Sequence, residues 1–232
     1  MLRVSGSRHA VRRDLARTQE EILRVATEHF TRSGYFGARV DEIAAATSTT
    51  KRMIYYCFES KDGLFSAALQ ATYEGIRSFE LGLGLDDLEP SEAIARYVGE
   101  TLRYHEAHPE LALLARAENL VGAVHMADRE AWDVERPIVK ILDAVLDRGR
   151  ASGEFRGEVT GVEVHIVVSA LCNFRITNQS TVQALFAFDM REPARLDHDV
   201  AQYVSLVLGW LRRDCAPAAG TSQGERVTLP LG

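Results

Sequence analysis

Apolar residues recur every three or four positions along most of the chain, the spacing of an α-helix that buries one face. The first such stripe consists of Ile22, Val25, Ala26 and Phe30. Thr18 and Glu21 have the spacing of a capping box, and Gly34 is a typical C-terminal stop. The pattern therefore predicts a first helix that begins at Thr18 and ends at Gly34.

Three shorter helices are predicted to follow. A helix within 40–47 must end at the polar run TSTT, residues 47–50. Thr50 can cap a third helix, in which Ile54 and Phe58 share one face, and Ser60 can cap a fourth. The apolar stripe of the fourth helix is Leu64, Phe65, Ala68 and Leu69.

The rest of the chain is also predicted to be helical. Residues 93–105 have helical spacing up to the break at His108-Pro109, and Pro137 is well placed to begin another helix. Residues 162–174 alternate at first like a strand and are rich in β-branched side chains. We predict a helix there because the sequence offers no second strand to pair with it. The predicted fold class is all-α.

Composition indicates the cellular compartment, and charge is distributed unequally between the two ends of the chain. The 232 residues are 46% hydrophobic, yet no run approaches the roughly 18 apolar residues of a membrane span. The arginine-containing N-terminus has no apolar segment behind it, and three separated cysteines suit a reducing compartment. These features predict a cytoplasmic protein without a membrane partner. Residues 1–63 carry 11 Lys and Arg against 8 Asp and Glu, whereas the remainder carries 16 against 25.

The positive charge falls at unusual places. Lys51 and Arg52 open the third predicted helix, and Lys61 opens the fourth. Cations oppose the helix macrodipole at an N-terminus by about 0.3–1 kcal/mol each. A phosphate or a guanine edge at those termini would offset this cost. Two short helices joined by a tight turn also describe a helix-turn-helix, to which Tyr55 and Tyr56 add hydroxyl donors.

Residues 22–69, ILRVATEHFTRSGYFGARVDEIAAATSTTKRMIYYCFESKDGLFSAAL, resemble the DNA-binding domain of the TetR family of one-component transcriptional regulators. The GY pair, the V..IA segment, the Y..F pair and the SK..L step fall in register. Where the family usually has Gly-Val-Ser in its turn, this chain has Ser48, Thr49 and Thr50. The resemblance implies a flexible basic arm (1–17), a three-helix DNA-binding domain (18–63), a helical ligand-binding and dimerisation bundle (64–215) and a disordered tail (216–232).

The resemblance also assigns roles at the DNA. Thr50, Tyr55 and Lys61 would touch backbone phosphates, and Arg39 is expected to reach another. Bases or their margins would be contacted by Lys51, Arg52, Met53 and Tyr56. Arm residues that could follow the minor groove are Arg8, Arg12, Arg13 and Arg17, although a solubilising tail explains them equally well.

For the C-terminal part the resemblance implies a homodimer on a pseudo-palindromic double-stranded DNA operator and release by a small organic effector. Two long helices near 160–182 and 197–214 would form a four-helix bundle with a second subunit, through the stripe 200–211 and the apolar segment 162–174. Packing within one chain is the alternative. Candidate effector contacts, chosen as polar residues among apolar ones, are His105, Asn119, His125, Trp132, His165, Asn173, Arg175 and Asn178.

Other function classes have weaker support in the sequence. We expect no cofactor and no metal, because the histidines have no acidic or thiolate partner at ligand spacing. An all-α enzyme is a rival, since Glu118, His125, Asp128, Glu130 and Asp133 could perform acid-base chemistry. They show no recognisable arrangement of nucleophile, base and orienting group. A helical adaptor whose basic module docks an acidic protein is a further alternative.

Overall fold

The computed structural model describes the backbone of residues 5–126 and 137–212, with side chains from residue 14 onward. Within these ranges the chain forms ten α-helices and no strand, apart from one isolated bridge between Phe155 and Arg212. The predicted all-α class is confirmed. Within the same ranges, no helix combines the length and the apolar character that a bilayer crossing requires.

In chain order the helices are α1 (Ser5–Gly37), α2 (Val40–Ala45), α3 (Lys51–Phe58), α4 (Lys61–Leu81), α5 (Pro90–Ala107), α6 (Glu110–Leu120), α7 (Pro137–Ser152), α8 (Gly161–Thr177), α9 (Gln179–Phe186) and α10 (Leu196–Leu211). Short 3₁₀ turns lie at Val124–Met126 and Pro193–Arg195. The predicted break at His108-Pro109 separates α5 from α6. The predicted tail, 216–232, lies outside the described residues.

The predicted start of the first helix is wrong. α1 already begins at Ser5, so Thr18 is an interior residue whose hydroxyl donates to the carbonyl of Asp14 at 2.9 Å. Residues 5–17 of the expected flexible arm therefore continue the helix, and they contain alanine, leucine and arginine, which favour it. The predicted stop is correct in kind, since Gly34 leaves helical geometry with a φ of 67°.

α1 to α4 share an N-terminal core, and the two predicted caps are present. The Thr50 hydroxyl accepts from the Met53 amide at 3.3 Å, and the Ser60 hydroxyl accepts from the Gly63 amide at 2.9 Å. A Cβ at Gly63 would lie 2.1 Å from the Phe58 carbonyl oxygen, so only glycine allows α3 and α4 to approach this closely. The core residues include Ile22, Phe30, Ile43, Ile54, Leu64 and Phe65. The predicted boundary after residue 63 thus falls within α4, whose first turns belong to this core.

A second core joins α5, α7, α8 and α10. Its most buried members include Tyr97, Leu102, Leu142, Val164, Val168 and Val207. The predicted helix over 162–174 is confirmed as part of α8. α8 begins with a capping box that the sequence analysis did not identify. In this box the side chains of Thr160 and Glu163 each accept a hydrogen bond from the other's backbone amide. The strand-like alternation was misleading because these β-branched residues belong to a helix that is apolar on most sides.

The C-terminal helices differ from the prediction in one respect. The helix expected near 160–182 is broken at Asn178, with φ −112° and ψ 4°, so that a separate α9 follows α8. The apolar stripe 200–211 of α10 packs against the core of its own chain, where Val207 and Leu211 are fully buried. At these positions the stripe packs against α5 of its own chain, the alternative that the sequence left open.

Candidate nucleic-acid interface and effector cavity

α3 buries one residue and exposes the other five of its first six. Ile54 has no exposed surface, whereas Tyr56 is 73% exposed. The exposed side chains are Lys51, Arg52, Met53, Tyr55 and Tyr56. All five were predicted as DNA contacts, and the structure brings them together on the outer side of a single helix.

Lys51 is exposed but already has a partner. Its Nζ lies 2.8 Å from Oδ1 of Asp41 at the start of α2, and this hydrogen bond raises the lysine pKa. Ion pairs on an exposed surface are weak because water screens them.

Lys61 is less accessible than predicted. It is half-buried at the start of α4, with Nζ 4.8 Å from the ring centroid of Tyr35, and burial lowers its pKa. The Tyr35 hydroxyl donates a short hydrogen bond to Asp62, which raises the tyrosine pKa to about 12. Lys61 thus forms part of the joint between α1 and α4.

The remaining predicted DNA contacts flank α3. Arg39 is exposed and precedes α2 in an extended conformation, without capping it through its side chain. The Thr50 hydroxyl is used as the cap of α3. Of the arm residues, Arg17 is exposed on α1, while the side chains of Arg8, Arg12 and Arg13 lie outside the described part of the chain.

A contact that sequence reasoning missed fixes the turn of the helix-turn-helix. The Glu21 carboxylate accepts from the Ser48 amide at 2.9 Å and from the Ser48 hydroxyl at 2.6 Å, and these bonds lower its pKa. Glu21 had been assigned to a local capping box with Thr18. Its actual partner is 27 positions away, so no local spacing could indicate it.

A cavity of about 530 Å³ opens between α4, α5, α6, α7 and α8. Three of the eight predicted effector contacts line it, namely His105, His165 and Asn173. Polar lining residues that the sequence analysis missed are Tyr73, Glu80 and Ser169. Tyr73 and Glu80 belong to α4 and Ser169 belongs to α8.

The polar groups of the cavity form a cluster across α4, α5 and α8. His165 Nδ1 lies 2.8 Å from the Tyr97 hydroxyl and 3.8 Å from a Glu80 oxygen. Burial, followed by the proximity of His165, lowers the pKa of His105 to about 4. His105 is therefore a neutral imidazole near neutral pH.

Arg175, Asn119 and Asn178 do not line this cavity. Arg175 is buried in an ion-pair network, with Nε 2.8 Å from Glu106 and a terminal nitrogen 2.5 Å from Asp199. Asn119 is exposed and donates to the Ala115 carbonyl, and Asn178 caps α8. Trp132 lies outside the described residues. Polar residues among apolar ones also serve as helix ends and in buried ion pairs, as Asn178 and Arg175 do.

His125 was also predicted to contact the effector but lies at the junction with the N-terminal core. Its Nδ1 is 2.7 Å from Oε2 of the buried Glu118, whose other oxygen accepts from the His125 amide at 2.7 Å. Its ring packs against Tyr35 and Phe65, with centroids 5.1 and 5.0 Å away. His125 thus connects the end of α6 to α1 and α4.

Among the described residues there is no group of three or more His, Cys, Asp or Glu side chains arranged to hold a metal ion.

Two family profiles cover most of the chain. One, described as "Bacterial regulatory proteins, tetR family", matches residues 22–68. The other, "Tetracyclin repressor-like, C-terminal domain", matches residues 90–207, just over half of the chain. The chain belongs to the TetR family.

Individual TetR-family proteins are similar over most of their length. The HTH-type transcriptional repressor NicS of Pseudomonas putida is 29% identical over 199 residues, which cover 85% of this chain and 93% of NicS. The HTH-type transcriptional repressor SCO4008 of Streptomyces coelicolor is 28% identical over 164 residues, covering 71% and 81%. The solved structure of PfmR from Thermus thermophilus has a similar fold, with a TM-score of 0.61, 23% identity and coverage of 81% and 97%.

This TetR-family chain is a DNA-binding transcriptional regulator. The family consists of regulators and not of enzymes, so the enzyme alternative is wrong. The residues that match the N-terminal profile include all of α3 and the Thr50 and Ser60 caps.

Proposed function

We propose that the protein is a homodimeric repressor that a small organic effector releases from a pseudo-palindromic operator. The observation that carries the proposal is the exposed set of cationic and aromatic side chains on α3, in a chain that also contains a cavity. Two relatives are named transcriptional repressors, which supports the sign of regulation.

At the DNA, Arg52 and Tyr56 are assigned to the base edges because they project from the exposed side of α3. An arginine bidentate to guanine contributes about 1–3 kcal/mol of discrimination. Lys51 and Tyr55 are assigned to the phosphate backbone. For Lys51 the proposed step is an exchange of Asp41 for a phosphate, which keeps the lysine paired in both states.

A second subunit is proposed to cover the outer faces of α8 and α10. Phe174 on α8 and Leu206 on α10 are more than half exposed, at 53% and 57%. On α10, small residues Ala201, Ser205 and Gly209 recur every fourth position on the exposed side, which permits close helix packing. A two-fold dimer would place its recognition helices about 34–36 Å apart, one turn of duplex.

The proposed route from effector to DNA is α6. Leu111 and Ala115 line the cavity, while Leu114 and Ala117 belong to the N-terminal core. At the end of the same helix, Glu118 binds His125, as described above. A ligand that favours one position of α6 would therefore favour one position of α3, and the coupling must be reciprocal.

A shift assay on the promoter region flanking the protein's own gene tests the DNA-binding part. The double variant Lys51→Ala, Arg52→Ala should bind about 100-fold more weakly, and the slope of log affinity against log salt should fall by about one, because only Lys51 is assigned to a phosphate. The matched control is Arg96→Ala, Arg103→Ala, which removes two surface cations from α5. Equal binding by the α3 variant and the control would refute the assignment.

The dimer is tested separately by sedimentation velocity. Leu206→Asp should shift the protein to monomer, because it places a charge in the proposed apolar contact. Gln70→Asp adds the same charge at an exposed position of α4, outside the proposed contact, and is the control. An unchanged dimer in Leu206→Asp, or a wild-type monomer, would contradict the proposed bundle.

A further inference from the structure

Two polar side chains of the cavity contain a buried atom without a hydrogen-bond partner. His105 is only 4% exposed, and its Nδ1 is unpaired; Oδ1 of Asn173 is unpaired as well. A buried polar atom left unsatisfied costs about 1–3 kcal/mol, and folded proteins contain few of them. Since both residues line the same cavity, a group brought into that cavity can supply the missing partners.

The charge of these groups restricts what can bind. Because burial holds the pKa of His105 near 4, its ring is neutral and offers one donor and one acceptor. The amide of Asn173 is neutral too. Arg175, two positions further along α8, is held by Glu106 and Asp199 and has no place in the cavity wall.

An anionic ligand would be opposed rather than attracted. Among the described residues that line the cavity there is no lysine or arginine, whereas Glu80, only 7% exposed, contributes a carboxyl group. A carboxylate or phosphate in the cavity would lie near that carboxyl group, next to which His165 already stands at 3.8 Å.

The rest of the wall is apolar. Its hydrophobic members are Ile76, Leu111, Ala115, Val139, Val162, Ile166 and Ala170. About 530 Å³ is within the usual range for a small-molecule site, about 300–1,000 Å³. The last side-chain torsion of histidine and of asparagine is only weakly restricted. A small rotation about it can therefore point either unpaired atom toward a ligand.

We propose that the effector is an uncharged, mainly apolar organic molecule with a hydroxyl or N–H donor, which it gives to Asn173 Oδ1 beside His105. The inference rests on the proposed function only in treating this cavity as the effector site. The chemistry of the cavity itself does not depend on DNA.

Three probes of nearly equal size test the chemistry by calorimetry on the full chain. 2-Naphthol is neutral with a donor, 2-methoxynaphthalene is neutral without one, and 2-naphthoate is an anion. We expect 2-naphthol to bind at least about ten-fold more tightly than either of the others. Tightest binding by 2-naphthoate, equal binding by the two neutral probes, or no binding of 2-naphthol would each overturn the proposal.

A variant pair locates the contact. Asn173→Leu should remove the preference for 2-naphthol over 2-methoxynaphthalene, and Asn119→Leu, the same change at an exposed position outside the cavity, should retain it. A preference retained by folded Asn173→Leu would contradict the role of Asn173. If that variant does not fold, the ranking of the three probes by the wild-type protein still decides the class of ligand.

Adding 2-naphthol to the shift assay separates the two proposals. Preferred binding without release of DNA would support the ligand class and refute the effector role of the cavity. Release of DNA by 2-naphthoate but not by 2-naphthol would support an effector-controlled repressor and refute the ligand class.

Discussion

In the N-terminal module the residues assigned to DNA lie on the outside of one short helix, whereas in the C-terminal domain the cavity residues lie between five helices. The former depend on local features: a cap at Thr50, a buried Ile54 and a glycine at position 63. The latter depend on contacts between distant segments, such as His165 with Tyr97, 68 positions apart. The proposed DNA contacts therefore depend on a short stretch of sequence, whereas the proposed ligand contacts depend on the packing of distant helices.

The largest expected effect is a loss of stability, and it distinguishes the buried residue of α3 from the exposed ones. Ile54→Ala should lower the free energy of unfolding by about 2–5 kcal/mol, because it leaves a cavity in the N-terminal core. Tyr56→Ala, at an exposed position of the same helix, should change it by less than about 0.5 kcal/mol while weakening operator binding. Urea denaturation and the shift assay measure the two quantities. A large loss of stability in Tyr56→Ala would contradict its outward position.

The second prediction concerns the joint between the two regions. His125→Phe keeps an aromatic ring against Tyr35 and Phe65 but removes the bond from its ring to Glu118, whose side chain is 2% exposed. Hydrogen bonds to charged groups contribute about 1.5–3 kcal/mol, so stability should fall by that amount, and effector-induced release should weaken. His108→Phe, which alters an exposed histidine paired with Glu110, is the control. Equal effects from the two substitutions would refute a special role for the junction.

The third prediction compares helix caps in the two regions. Thr50→Ala and Thr160→Ala each remove a hydroxyl that accepts from a backbone amide, and each should cost about 0.5–2 kcal/mol. Thermal unfolding measures this loss. Only Thr50→Ala should also reduce operator affinity, since Thr160 lies far from α3 in the fold. Reduced DNA binding by both variants to the same degree would mean that lost stability explains both.

The smallest effect is a dependence of stability on pH. Hydrogen bonds from Ser48 lower the pKa of Glu21 below 4.5, and bonds from Thr160 do the same for Glu163. Each contribution is therefore fully present above the unfolded-state pKa and is lost as pH falls through the folded-state pKa. Between neutral pH and about pH 3, Glu21→Gln and Glu163→Gln should each lose less stability than wild type. A wild-type pH profile in both would exclude these bonds as a source of the dependence.

The sequence allowed much of the fold to be predicted, and the reasons differ by element. α3 and α4 were placed correctly because their caps, Thr50 and Ser60, act over three positions, and α2 was placed by its apolar spacing and by the polar run that follows it. The start of α1 was predicted thirteen positions too late because Thr18 and Glu21 have the spacing of a capping box. In the structure the Glu21 carboxylate accepts hydrogen bonds from Ser48 instead. α9 was missed because Asn178 is an inconspicuous break between two helices.

The cavity was harder to predict than the helices. His105, His165 and Asn173 were found by looking for polar residues on apolar faces, but the same criterion selected Arg175 and His125, which serve packing and the interdomain joint. Glu80 gave no local signal, because nothing in the sequence of α4 shows that its last turns face α8. Only the fold brings these groups together.

The carboxylate of Asp41 pairs with Lys51 at the position where the proposed complex places a phosphate. Under that proposal an acidic residue without any contact to the operator sets how long the protein remains on any stretch of chromosome. Substitutions at position 41 would then raise or lower occupancy and leave the bases assigned to α3 unchanged.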